Sequence, residues 1–232
     1  NKCKLFLIGF VFAIMGCSPG VVEVEQPVIT TEAYVSNAQD FSALWEGHFS
    51  YLNIKDVAQG NNKVYAASEN AIFIYDLETL ELSKISTIHG LSGEFISTIH
   101  YSEVFGQLII GYENGLIEIV LEQSDDILSV VDILEKQTIP PDSKRINHFN
   151  EYNGFVYIST DYGISVYDLE RLEFGDTYFI GNGGTQLIVS QTAIHQDKIY
   201  AACLNSGGIR TASVNSPNLI DYQEWIQIIG GN

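Results

Sequence analysis

The chain has 232 residues, 46% of them hydrophobic and 12% aromatic, which is enough to bury the core of one or two ordinary domains. Eleven lysines and arginines stand against 29 aspartates and glutamates, a formal net charge of −18. Such a field repels nucleic acid and bare anionic lipid and favours solubility, and the three cysteines, Cys3, Cys17 and Cys203, make no disulfide framework.

Residues 1–17 read NKCKLFLIGFVFAIMGC, two lysines followed by a short apolar run. The run is too short to span a bilayer and suits the apolar core of a signal peptide. It ends Ile14-Met15-Gly16-Cys17-Ser18, which resembles a bacterial lipobox, although Met15 stands where a small or β-branched residue is usual. Cys17 is therefore a candidate lipidation site, with a non-lipidated secretory leader as the alternative. Residues 18–44 carry two prolines, several acids and no period, and read as a flexible tether.

From Trp45 onward, short β-branched and aromatic runs alternate with turn signals, and no window carries an amphipathic helix. VYAASENAIFIYDLETLEL, from Val64 to Leu82, returns from Val156 to Phe174 as VYISTDYGISVYDLERLEF. A copy of this length at a fixed offset marks a repeat. Two further units align on Leu108-Ile109 and Ile199-Tyr200, so four units recur every 43 to 48 residues. A turn follows each pair: Glu69-Asn70-Ala71, Glu113-Asn114-Gly115, Asp161-Tyr162-Gly163 and Ser206-Gly207-Gly208. Four strands in about 40–45 residues is the period of a propeller blade. The fold class is all-β: a β-propeller of four-stranded antiparallel blades, with blades at about 45–93, 94–142, 143–184 and 185–232. No closing strand is recognised after Trp225, so these four blades are expected to be part of a larger propeller. Asp76 and Asp168 start the turn from third to fourth strand, where an Asp side chain caps the backbone.

The first strand of each blade is expected to line the central channel. That places Lys55, Asp56, Ser97, His100, Asn147, His148 and Gln191 there, and Lys55, Asp56, His100, Asn147 and His148 are the binding candidates. No chemical signature reinforces them. The five histidines have no paired metal-ligand spacing, and there is no Gly-x-Ser-x-Gly elbow. Gly181-Asn182-Gly183-Gly184 precedes a strand-like run, LIVSQTAI, and so lacks the helix N-terminus of a phosphate cradle; it reads as the crossover from blade three to blade four. Asp125-Asp126 lacks the alternating acids of a calcium loop. No cofactor is expected, calcium at the acidic turns being the alternative, and Cys203 reads as an inert core thiol.

LWEGHFSYLNIKDVAQGNNKVYAASENAIFIYDL, LSGEFISTIHYSEVFGQLIIGYENGLIEIV and PPDSKRINHFNEYNGFVYISTDYGISVYDLERLEFGDTYFIGNGG resemble the N-terminal propeller of the PorZ-like family. That family belongs to the type IX secretion system of Bacteroidota; sensor kinases of two-component regulators carry related propellers. The resemblance covers about Trp45 to Asn232. It implies a longer chain with further blades and a sorting domain, exported to the outer membrane or cell surface, with the periplasm as alternative. It implies a non-enzymatic scaffold whose partners are other secretion-system proteins or anionic lipopolysaccharide; contact with a membrane is expected only through a lipid anchor at the Cys17 lipobox, in which this leader departs from the family. The alternatives are a periplasmic sensor propeller and, more remotely, a propeller lyase or glycosidase. No family site transfers residue by residue.

Overall fold

A computed structural model of the chain describes residues 53–124, 126–205 and 207–229. The leader, the tether, Cys17, Asp125 and Ser206 lie outside the described residues.

The described residues form four antiparallel sheets of four strands, each in plain sequence order. The first sheet holds β1 (Asp56–Gly60), β2 (Lys63–Ala67), β3 (Ile72–Asp76) and β4 (Leu82–Ile85). The second holds β5 (Ile96–Ser102), β6 (Gln107–Tyr112), β7 (Ile117–Leu121) and β8 (Asp126–Val130). The third holds β9 (Ile146–Tyr152), β10 (Phe155–Thr160), β11 (Ile164–Asp168) and β12 (Glu173–Tyr178). The fourth holds β13 (Val189–His195), β14 (Lys198–Cys203), β15 (Gly208–Ser213) and β16 (Ile226–Ile229). These are the blades of a propeller. Their first strands pack in chain order, β1 on β5, β5 on β9 and β9 on β13, and no packing of comparable extent joins β13 back to β1. The ring is not closed among the described residues.

The core is a set of three layers between blades, because a sheet with two apolar faces must be covered on both. Tyr65, Ile72, Ile99, Tyr101, Leu108 and Ile110 fill the first layer. Ile109, Ile119, Phe149, Ile158 and Tyr167 fill the second, and Tyr157, Ile164, Tyr178, Ile199 and Trp225 fill the third. Trp225, 3% exposed, donates its indole N–H to the Leu219 carbonyl at 3.0 Å. It thereby anchors the long connection that brings the chain to β16. That strand completes its blade as the fourth and does not close the ring; the sequence reading does not find it.

The turns carry their local chemistry on single residues. Asp76 Oδ1 accepts the backbone N–H groups of Glu78 and Thr79, both at 2.9 Å. These donors, Thr79 first, hold its carboxyl below the usual range. Asp168 Oδ1 does the same for Glu170 at 3.0 Å and Arg171 at 2.9 Å. Gly163 sits at φ 149°, and a Cβ there would lie 2.2 Å from the Tyr178 carbonyl oxygen. Only glycine fits where β11 must leave the turn so close to β12.

Candidate functional site

Antiparallel order gives each blade two ends. At one end stand the turns from first to second and from third to fourth strand. At the other stand the turns from second to third strand and the connections between blades.

The inner strands are stitched together by polar side chains. Asp56 on β1 accepts from Thr98 Oγ1 at 2.7 Å and from the Ile99 backbone N–H at 2.9 Å, both on β5. Glu151 on β9 reaches β5: its Oε2 lies 3.0 Å from His100 Nε2, and its Oε1 accepts from Ser102 Oγ at 3.0 Å. Asn147 donates to the Val189 carbonyl at 2.9 Å and to Asp161 at 2.8 Å, and Asn150 donates to the Thr192 carbonyl at 2.8 Å. Of the five candidates from the sequence, Asp56, His100 and Asn147 thus spend hydrogen bonds on neighbouring blades. Lys55 is exposed. His148 is half-buried, with its Nδ1 shielded from solvent and without a partner. Burial pushes its pKa down; Asp56 pulls it back up and His100 lowers it further. Ser97 donates to the Gly111 carbonyl at 3.0 Å, and Gln191 is exposed.

A second joint, absent from the sequence reading, centres on Glu122, which follows β7. Its carboxylate accepts from Tyr101 OH at 2.6 Å, Tyr65 OH at 2.7 Å, Asn61 Nδ2 at 2.7 Å and Lys63 Nζ at 2.9 Å. Three of these donors come from blade one, so the carboxylate clamps blade one to blade two. Burial alone would raise the Glu122 pKa, but the donors, led by Tyr101 and Tyr65, outweigh it and hold the pKa at about 2. The Tyr65 and Tyr101 rings stack at 5.2 Å between centroids, and burial, the largest cause, pushes both phenols up. Gly60 leaves room for this stack, since a Cβ there would lie 1.8 Å from the Tyr101 ring.

Two clefts among the described residues open at the end that carries the first-to-second and third-to-fourth turns, and a third runs along the outer strands of blade three. One of them, about 760 Å³, runs between the hairpins of blades two and three and is lined by His100, Glu103, Val104, Phe105, Glu151 and Glu170, among others. A second, about 380 Å³, lies above the Glu122 clamp. A third, about 330 Å³, is lined by Phe155, Tyr157, Asp176, Tyr178 and the loop from Val214 to Ile220. His100 is the sequence candidate that reaches a cleft. Among the described residues no group of three or more His, Cys, Asp or Glu side chains is arranged to hold a metal ion. Cys203 is half-buried and donates to the Ala201 carbonyl at 3.5 Å; burial pushes its thiol up to about 11, which keeps it protonated. Gly181–Gly184 lies between β12 and β13, its turn closed by Gly184 N–H to the Gly181 carbonyl at 2.9 Å. No helix of the described residues is long and apolar enough to cross a membrane.

Residues 64–226 match the family model described as the N-terminal β-propeller domain of PorZ, of the type IX secretion system. No curated protein matches the chain at significant similarity. Among solved structures, PorZ of Porphyromonas gingivalis, described as an essential bacterial surface component of that system, superposes with a TM-score of 0.66 at 21% identity, over 80% of this chain and 24% of that one. The extracellular domain of a hybrid two-component system from B. thetaiotaomicron gives 0.58 at 14% identity, over 76% and 22%. The computationally designed Ika8 protein gives 0.54 at 16%, over 80% and 51%. The chain thus spans about a quarter of the length of the P. gingivalis and B. thetaiotaomicron proteins.

Proposed function

Since the chain belongs to the PorZ N-terminal β-propeller family, we propose that it is a non-enzymatic scaffold of type IX secretion, exported to the cell surface, which binds partner proteins or surface polysaccharide through one end of its propeller. The observation that carries this reading is the pair of clefts at the end bearing the first-to-second and third-to-fourth turns, one of about 760 Å³ and one of about 380 Å³. The inner strands, by contrast, use their polar side chains to hold blades together. The structure of PorZ from P. gingivalis, a surface component of the same secretion system, supports the setting.

The test is genetic. Removing the gene should abolish surface display of type IX cargo, and the full-length gene supplied in trans should restore it. Undiminished display in the deletion strain would refute the assignment. A second reading, a periplasmic sensor propeller of a two-component regulator, draws on the fold shared with the B. thetaiotaomicron domain. It predicts that the deletion changes transcription of a small regulon and leaves cargo display intact.

A further inference from the structure

The cleft between blades two and three has a chemistry of its own. It opens between the β5–β6 hairpin of blade two and the β9–β10 and β11–β12 hairpins of blade three, holds about 760 Å³, and brings three carboxylates, Glu103, Glu151 and Glu170, to one groove. No lysine or arginine lines it; the imidazole of His100 is the only other ionisable nitrogen there, and it sits against Glu151. The apolar part of the wall is unusually open. Val104, at the tip of the β5–β6 hairpin, is 79% exposed, with the Phe105 ring beside it and Tyr152 across the groove. Tyr152 is held by its hydroxyl, which donates to Asp197 at 2.7 Å.

We propose that this groove between blades two and three docks a basic, apolar-flanked peptide segment of a partner protein. The lysine or arginine heads lie against Glu103 and Glu170, and the intervening apolar side chains lie over Val104 and Phe105. Three arguments select this occupant. An acidic groove on a chain of net charge −18 attracts cations and repels anionic polysaccharide. An apolar rim beside carboxylates fits a side chain that pairs a charged head with a methylene stem. The volume suits a few side chains in a row and is too small for a folded domain. The proposal takes its biological setting from the scaffold reading and, within it, selects a protein segment over lipopolysaccharide as the ligand of this groove. Its chemistry is tested separately from that reading.

The experiment uses the full-length protein and a fluorescent peptide of alternating lysine and leucine, followed by anisotropy at low and high salt. Glu103→Gln/Glu170→Gln should weaken binding about tenfold, the scale of two exposed ion pairs. Val104→Ser should weaken it about fivefold through lost apolar contact. Glu94→Gln/Asp142→Gln removes two charges from connections at the opposite end and should leave affinity unchanged. A peptide of alternating glutamate and leucine should not bind. Equal loss in the two double variants would reduce the effect to net charge and overturn the proposal. So would wild-type affinity in both Glu103→Gln/Glu170→Gln and Val104→Ser, or saturable binding of an anionic polysaccharide that Glu103→Gln/Glu170→Gln alters. A wild-type protein that binds the peptide as proposed, in a strain whose cargo display does not need the gene, would sink the secretion assignment and leave the groove standing.

Discussion

Replacing Glu122 by Gln removes the charge on which four donors converge and leaves the shape of the side chain. In the folded chain the Glu122 pKa is held at about 2, against 4.5 for an exposed glutamate. The full difference corresponds to about 3 kcal/mol. The side chain is 19% exposed and part of that is screened by water, so about 1–2 kcal/mol is the expected loss at pH 7. A depressed carboxylate pKa stabilises the fold above the unfolded value and loses that contribution as pH falls towards the folded value. The gap between wild type and Glu122→Gln should therefore be full at pH 6–7, begin to narrow near pH 4.5 and shrink steadily towards pH 2. Urea unfolding followed by tryptophan fluorescence at a series of pH values measures it, and the subtraction cancels every other acid in the chain. A gap that stays constant from pH 7 to pH 3 would show that the carboxylate charge is not what binds Tyr65 and Tyr101. A gap that widens on acidification would reverse the sign and refute the clamp outright.

The remaining predictions concern other joints. Asp56→Ala strips acceptors from the Ile99 N–H and from Thr98, which is 3% exposed, and should cost about 1–3 kcal/mol in urea unfolding. Gly163→Ala forces a Cβ onto the Tyr178 carbonyl at a positive φ and should cost about 3 kcal/mol or prevent folding, read as loss of soluble protein or a lower melting temperature. His148 has its pKa lowered by burial, so the unfolded chain takes up a proton first and stability falls as pH drops through and below 6.5. His148→Gln should flatten the stability profile over pH 5–7; an unchanged slope would mean that His148 contributes nothing to it.

Local rules were easy to read from the residues, and encounters between distant residues were not. The Val-Tyr pairs fall on second strands and the Tyr-Asp of the Tyr-Asp-Leu-Glu phrase ends third strands, the middle strands that are buried almost throughout in β6 and β7, polar Gln107 and Glu118 included. The Asp76 and Asp168 turns were legible because donor and acceptor lie two or three residues apart. β1 reads DVAQG, with Val57 exposed, and offers no continuous apolar run. β16, IQII, is exposed at every position and is defined by pairing with β15. Glu122 and Glu151 were missed for a different reason. Each resembles an ordinary surface acid in sequence, and its donors lie 21 to 61 residues away. The groove at Glu103 and Glu170 belongs to two hairpins of different blades, so no linear pattern announces it.

The stitches between inner strands join each blade only to its immediate neighbours, with Asp56 reaching β5, Glu151 tying β9 to β5, and Asn147 and Asn150 reaching β13. A row of this kind behaves as a one-dimensional chain of coupled springs, in which a break is felt one link away and then fades. Amide exchange should follow that rule. Loosening the Glu122 clamp would raise exchange in β2 and β6 while β10 and β14 keep their protection. Sequence drift could then be repaired blade by blade, which lets one half of the row remain stiff while the other adapts to a new partner.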